Sequence, residues 1–310
     1  MKTYKKLTDK QMMSLGVARC NYTGQRQQDS SHIRGGFLRH HSPSSSGSNA
    51  GLSHDQKSTI SASVSAVSGV KDPIMRSLRK IKTAGGRRKE GRYIAEGLDL
   101  CARAVRYGAE VEALICVEGL IHQERGRALL ELIPEHTPIF TCSEGLLNKC
   151  LEAKPTPPCV ALIRRVERTW RPGQVAVKNP FWLGVDHGES ADNLGMLLRS
   201  AEAAGVTEVL LSGGTVDPWG RRVVRAARGA MFGMPLALHE STLDAVDLAQ
   251  RSGIAVVSTS AKATLSYHEV DYTQPTLILV GNEHHGVNEE AVERSDHCVR
   301  IPMLGHIHSL

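Results

Sequence analysis

The sequence predicts an α/β protein of two alternating units. A small unit covers residues 71–166 and a larger one, built on a parallel sheet, covers residues 179–310. Three observations carry this reading. Short apolar runs alternate with helix-spaced apolar positions in both stretches. The strand-like runs of the second stretch are apolar throughout, as in Thr276 to Val280, which is the habit of strands covered on both faces. Between the stretches, residues 167–178 contain Trp170, Pro172 and Gly173 and read as a linker.

The elements follow in order. Ile74, Leu78 and Ile81 repeat at helical spacing after Pro73. Tyr93 to Ala95 is a short strand, Leu98 to Tyr107 a helix, and Ala113 to Val117 a buried strand. Ile121 to Leu132 is helical, Pro138 to Thr141 a strand, Leu146 to Leu151 a short helix and Val160 to Ile163 a strand. In the second unit Trp182 to Val185 is a strand. Asp192 can cap the following helix, whose apolar face is Leu194, Leu197, Leu198 and Ala201 and whose end is Gly205. Strands at Val209 to Leu211, Leu236 to Leu238, Ile254 to Val257, Thr276 to Val280 and Cys298 to Ile301 alternate with helices at Arg221 to Arg228, Leu243 to Ala249 and Glu289 to Val292.

Composition narrows the class. The chain has 310 residues, 41% of them hydrophobic, enough to bury a core. Its longest apolar runs fall far short of the roughly 20 residues a membrane helix needs, so no membrane role is expected. Seven cysteines occur without a Cys-x-x-Cys pair, which argues for reduced buried thiols rather than a zinc ribbon or a disulfide scaffold. Residues 1–70 are Ser-rich, acid-poor and without sustained periodicity, and are expected to be mostly disordered. That composition is shared with organelle transit peptides, but the first ten residues are Lys-rich rather than Arg-rich and a cytoplasmic location is expected.

The formal net charge of +6 conceals an asymmetry. Residues 1–70 and 71–166 are net +6 and +5, whereas residues 167–310 are net −5. Nine basic residues crowd Lys71 to Arg92 against Asp72 and Glu90 alone. Such a stripe is either a solvated helix face followed by a mobile loop or a polyanion-docking surface, with Arg87, Arg88, Lys89 and Arg92 as the candidate contacts.

In parallel sheets ligands bind beyond the carboxyl ends of the strands. Three segments there are unusual. Asp192 to Arg199 reads Asp-Asn-Leu-Gly-Met-Leu-Leu-Arg, and Asn193 and Arg199 are expected near the same end of the sheet. Gly281 to Gly286 reads Gly-Asn-Glu-His-His-Gly directly after an apolar strand. The third, Ile301 to Leu310, reads Ile-Pro-Met-Leu-Gly-His-Ile-His-Ser-Leu. His284, His285, His306 and His308 suggest a metal, but their spacing fits no zinc signature and none is expected. Trp219 either anchors its loop or stacks on a base.

Together the three segments resemble the SpoU/TrmH family of RNA ribose 2′-O-methyltransferases, within the SPOUT superfamily. Asn193, Gly195 and Arg199 match its first motif, Gly281, Glu283 and Gly286 its second, and Ile301 to Leu310 the opening of its third. Val224 to Ala230 resembles its central helix, and Pro73 to Leu100 the small substrate-binding domain of many members. The resemblance covers residues 72–310. It implies S-adenosylmethionine held in a C-terminal trefoil knot, with Gly281, Ile301, Met303, Gly305 and Leu310 around the cofactor. It implies catalytic roles for Arg199, Asn193, Glu283 and Ser309, and a structured RNA substrate, ribosomal ahead of transfer RNA. The family's third motif continues with Asn-Val-Ser and a helix that closes the knot and builds a dimer interface. Here the sequence stops at Leu310, so the expectation is an incomplete knot, a pocket open on one side and no family-type dimer. The alternative is an RNA-binding protein without catalysis. A nicotinamide oxidoreductase would need Gly-x-Gly-x-x-Gly after the first strand, which is missing.

Overall fold

The computed structural model describes residues 64–168 and 178–304. The expectations for residues 1–63, for Trp170, Pro172 and Gly173, and for Gly305, His306, His308, Ser309 and Leu310 lie outside them.

The first half is a five-stranded sheet. Its elements are β1 (Val64–Ala66), α1 (Pro73–Lys80), α2 (Ala84–Glu90), β2 (Arg92–Glu96), α3 (Leu98–Arg106), β3 (Val111–Val117), α4 (Glu124–Leu130), β4 (Ile139–Cys142), α5 (Glu144–Leu151) and β5 (Cys159–Arg164). The strand order is β1-β4-β3-β5-β2. β1, β4 and β3 are parallel, while β5 runs antiparallel to β3 and β2. On one face α1 and α5 bury Met75, Leu78, Leu147 and Leu151 against Ile94 and Ile115. On the other, α3 and α4 bury Ala104, Val105 and Leu129.

Two expectations are corrected here. Residues 64–66 are not part of a disordered extension. They pair with Ile139 to Thr141, and the next residue, Val67, is buried and donates its N–H to the Thr141 carbonyl. The basic stripe does not run into a mobile loop either, because Ala84–Glu90 is helical. Thr83 Oγ1 accepts the Gly86 N–H at its start, and Gly91 ends it in the left-handed region at φ 64°. Gly86 has a steric reason, since a Cβ there would lie 1.8 Å from the Lys80 carbonyl oxygen.

The second half is a seven-stranded, all-parallel sheet, as its apolar strands predict. Its elements are β6 (Phe181–Asp186), α6 (Ala191–Ala203), β7 (Glu208–Ser212), α7 (Arg221–Ala226), β8 (Leu236–Leu238), α8 (Thr242–Arg251), β9 (Ala255–Thr259), β10 (Leu265–Ser266), β11 (Thr276–Val280), α9 (Glu289–Glu293) and β12 (His297–Arg300). The order is β10-β12-β9-β11-β6-β7-β8. α6 and α7 cover one face through Leu194, Leu198 and Val223, and α8 and α9 cover the other through Val246, Ala249 and Ala291. The cap of α6 is Ser190 rather than Asp192. Ser190 Oγ accepts the Asn193 N–H at 3.3 Å, which leaves Asp192 in the first turn to pair with Arg222.

The two sheets share one hydrophobic cluster. Tyr93, Ala95 and Leu129 from the first pack in it with Trp219, Val223 and Phe232 from the second, and the Tyr93 and Phe232 rings stack at 6.4 Å. Trp219 is buried under the Arg165 guanidinium, 4.0 Å from its ring centre, so it anchors its loop and is not open to a base. The six described cysteines are free thiols, and five are buried.

Glu208, at the start of β7, is 2% exposed, and its Oε1 has no partner. Burial pushes its carboxyl up to about 8. The folded state therefore keeps a proton that the unfolded chain releases near 4.5, and stability falls as pH rises from about 4.5 to about 8. Glu208→Gln should flatten that dependence in thermal melts, matching the parent at pH 4 and exceeding it at pH 8. A parent whose melting temperature does not move across this window contradicts the assignment.

Candidate functional site

Parallel pairing brings three loops to one rim. Val280 at the end of β11 lies opposite Val185 near the end of β6. β9 pairs with β11 on one side and β12 on the other, with Ser258 opposite both Leu279 and Cys298. Gly281 and Ile301 therefore leave the same edge of the sheet, separated by two strand spacings, about 10 Å.

The loop after β11 is built by its own backbone. Asn282 and Gly286 exchange hydrogen bonds, Asn282 N–H to the Gly286 carbonyl at 3.2 Å and Gly286 N–H to the Asn282 carbonyl at 2.8 Å. The buried Asn282 side chain accepts the His284 N–H at 2.7 Å and donates to the His187 carbonyl at 3.1 Å, tying this loop to the one after β6. Gly281 has no room for a side chain, since a Cβ would lie 2.0 Å from the Gly286 carbonyl carbon. Gly281→Ala should therefore displace the loop. We expect at least a tenfold loss of S-adenosylmethionine affinity in calorimetry. Unchanged affinity would separate this loop from the cofactor.

Asn193 stands in the first turn of α6, and its Nδ2 donates to Glu283 Oε1. Two residues ninety positions apart thus meet at the rim. The Glu283 carboxyl is held below the usual carboxylate range, first by its own backbone N–H and then by the Asn193 amide. It stays ionised at neutral pH.

Asp186 closes β6 beneath this loop and is 1% exposed. It accepts the Asn288 N–H at 2.8 Å and the Thr242 hydroxyl, and its Oδ1 lies 2.7 Å from His187 Nδ1. His187 sits in the left-handed region at φ 51°. Asp186, His187, Gly213 and Thr242 are among the residues lining a cavity of about 430 Å³. Sequence reasoning singled out neither Asp186 nor the individual role of Asn282. The available signal was an acid ending an apolar strand, and an amide inside a glycine-bounded loop.

Arg199 lies deeper along the same helix as Asn193. It is six residues beyond Asn193 on one helix, hence about 9 Å farther along the axis and turned roughly 120° from it. The two lie on different faces of α6. Helical side chains lean toward the N-terminus, so the Arg199 stem slants back toward the rim. It is exposed and has no ion pair or side-chain hydrogen bond among the described residues. Ile301 and Met303 are 48% and 40% exposed and present apolar surface at the same edge.

The candidate RNA contacts divide. Arg87 is 6% exposed and fully engaged. It donates to Asp217 Oδ2 at 2.6 Å and to the carbonyls of Ile81 and Lys82 at 2.9 and 3.0 Å, which removes it from any RNA-facing set. Arg92 is committed to Glu112. Arg88 and Lys89 are exposed.

Comparison with known proteins agrees with this geometry. Residues 180–310 match the SpoU rRNA methylase family, and residues 72–161 match the MRM3-like substrate binding domain. A 23S rRNA (uridine(2479)-2′-O)-methyltransferase of Streptomyces viridochromogenes is 28% identical over 231 residues, spanning 72% of this chain and 79% of that protein. A 23S rRNA (guanosine(2553)-2′-O)-methyltransferase of Bacillus subtilis is 24% identical over 245 residues, spanning 79% and 93%. The crystal structure of the SpoU methyltransferase AviRb from Streptomyces viridochromogenes, in complex with the cofactor AdoMet, superposes with a TM-score of 0.67 at 25% identity, covering 77% of this chain and 92% of that one. With its three loops on one rim, the segment 180–310 is a SpoU rRNA methylase family domain, and the segment 72–161 before it is an MRM3-like substrate binding domain.

Proposed function

We propose that this protein transfers a methyl group from S-adenosylmethionine to a ribose 2′-hydroxyl of structured RNA, with ribosomal RNA ahead of transfer RNA as substrate. The observation that carries the reading is the Asn193–Glu283 contact, which joins the helix after β6 to the loop after β11 on the rim that Ile301 also leaves.

The residues present fit the cofactor. Gly281 lies so close to the Gly286 backbone that no Cβ fits between them, which closes the turn and fixes the backbone groups it presents. Ile301 and Met303 offer an uncovered apolar wall for an adenine. Gly281, Ile301 and Met303 would hold the cofactor. When bound, S-adenosylmethionine supplies an activated methyl whose bond to sulfur breaks as the ribose oxygen bonds to carbon. The work left to the chain is mostly alignment, which can supply on the order of 7–11 kcal/mol.

Arg199 stabilises the negative charge that develops on the 2′-oxygen. It does not take the proton, because a guanidinium cation has no free lone pair to accept one. The proton leaves to solvent. Asn193 and Glu283 position the loop.

The test is incorporation of labelled methyl from the cofactor into purified ribosomal and transfer RNA, followed by alkaline hydrolysis. A 2′-O-methyl group blocks cleavage at its own phosphodiester, so the label must appear in resistant dinucleotides. Label in mononucleotides would mean base methylation. RNA binding without cofactor binding would leave a non-catalytic RNA-binding protein.

A further inference from the structure

A groove of about 540 Å³ opens on the small half between α1 and α5, lined by Arg76, Arg79, Lys80, Lys82, Lys149 and Glu152, with Val70 at its edge. Five of these seven side chains are cationic. Two are neutralised, Lys80 by Glu90 and Lys82 by Glu152. Arg76, Arg79 and Lys149 are exposed and have no ion pair among the described residues. We propose that this groove, rather than the Arg87 to Arg92 stripe, seats the phosphate backbone of the folded RNA whose ribose is presented at the catalytic rim. The proposal rests on the methyltransferase reading.

Three observations support it. The unpaired cations sit at two helix surfaces facing one cleft, so several phosphates can be met at once. No aromatic side chain lines the groove. Base-stacking platforms for single strands use aromatics, and a groove without them suits the sugar-phosphate backbone of a folded RNA. The groove is also connected to the rim. The last residue of α5, Leu151, gives its carbonyl to Arg221 at 2.6 Å, and Arg221 also pairs with Glu96. The next residue, Arg222, pairs with Asp192, and the residue after that, Asn193, holds Glu283. The Glu152 carboxyl, held low first by Lys82 and then by Arg79 and Arg221, reports the positive field at this junction.

The experiment measures affinity by fluorescence anisotropy between 50 and 200 mM salt. The probes are a 20-base-pair RNA hairpin and a 20-nucleotide oligouridylate. Each phosphate contact adds about 0.9 to the logarithmic salt slope. The Arg76→Gln/Arg79→Gln/Lys149→Gln protein should lose about 2.7 of that slope, so that the parent's affinity falls about 40-fold more across the salt range than the variant's. Glu152→Gln, which removes the groove's carboxylate, should bind the hairpin several-fold tighter. Arg88→Gln/Lys89→Gln should change the slope by less than one. An unchanged slope in the triple variant, an equal loss in the Arg88/Lys89 variant, weaker binding by Glu152→Gln, or preference for the single strand would each overturn the proposal. Calorimetry with S-adenosylmethionine separates the two readings. A parent that binds no cofactor removes the enzyme while leaving the groove result standing, and a normal cofactor affinity with a flat salt slope does the reverse.

Discussion

Arg199→Ala should reduce methyl transfer by about a hundred- to a thousandfold while leaving cofactor affinity within a factor of two. The magnitude is that of removing one preorganised charge from a developing oxyanion. Two features make the variant clean. Arg199 is exposed on α6 and makes no ion pair or side-chain hydrogen bond among the described residues, so its loss leaves no buried partner behind. It also stands about 9 Å along the helix from Asn193, so the Asn193–Glu283 contact does not depend on it. Arg199→Lys keeps a positive charge on a similar stem and should recover part of the rate, the shortfall reflecting the planar fork that an ammonium lacks. If the Ala variant turns over like the parent, the negative charge on the ribose oxygen is met elsewhere. If the Ala and Lys variants are equally poor, geometry rather than charge is what Arg199 supplies.

How much of this could be read beforehand depended on what each element is made of. Six strands of the seven-stranded sheet were legible because they are apolar runs, and Thr276–Val280 can hardly be anything else. α2 was not, because Ala-Gly-Gly-Arg-Arg-Lys-Glu carries no apolar periodicity. It is held by Thr83, Gly91 and the buried guanidinium of Arg87, none of which a periodicity test detects. β1 and β10 were missed for the same reason. Three and two residues respectively, they exist only because β4 and β12 lie beside them. Ser190 and Asp192 are both competent caps, and only the position of the Asn193 N–H decides between them. At the site, the three loops were legible as motifs through family resemblance. Their convergence is a property of strand order, with β9 between β11 and β12. Charge was the weakest guide. The count of basic residues from Lys71 to Arg92 could not say that Arg87 belongs to Asp217, 130 positions away, or that Arg76 and Arg79 share a groove with Lys149.

Arg87→Met should cost about 3–5 kcal/mol of stability, because it strands a partly buried carboxylate. Asp217 is less than a fifth exposed, and its other oxygen already accepts the Trp219 N–H at 3.0 Å. The carbonyls of Ile81 and Lys82 lose their donor in the same step. Arg87→Lys should recover little, since one ammonium cannot serve a carboxylate and two carbonyls from a single stem. Asp217→Asn should be milder than Arg87→Met, because it removes the charge but keeps an acceptor for Trp219. The site of the damage matters as much as its size. Arg87 joins the turn before α2 to the loop before α7, beside Trp219 in the hydrophobic cluster that both sheets share. Its loss should therefore loosen the small half from the large one, and urea unfolding should change from a single transition to two. Arg88→Gln, one residue away and exposed, is the control and should stay within about 0.5 kcal/mol of the parent. An Arg87→Met protein that unfolds in one transition at the parent's midpoint would show that the shared cluster, with Tyr93 stacked on Phe232, suffices to hold the halves together without this ion pair.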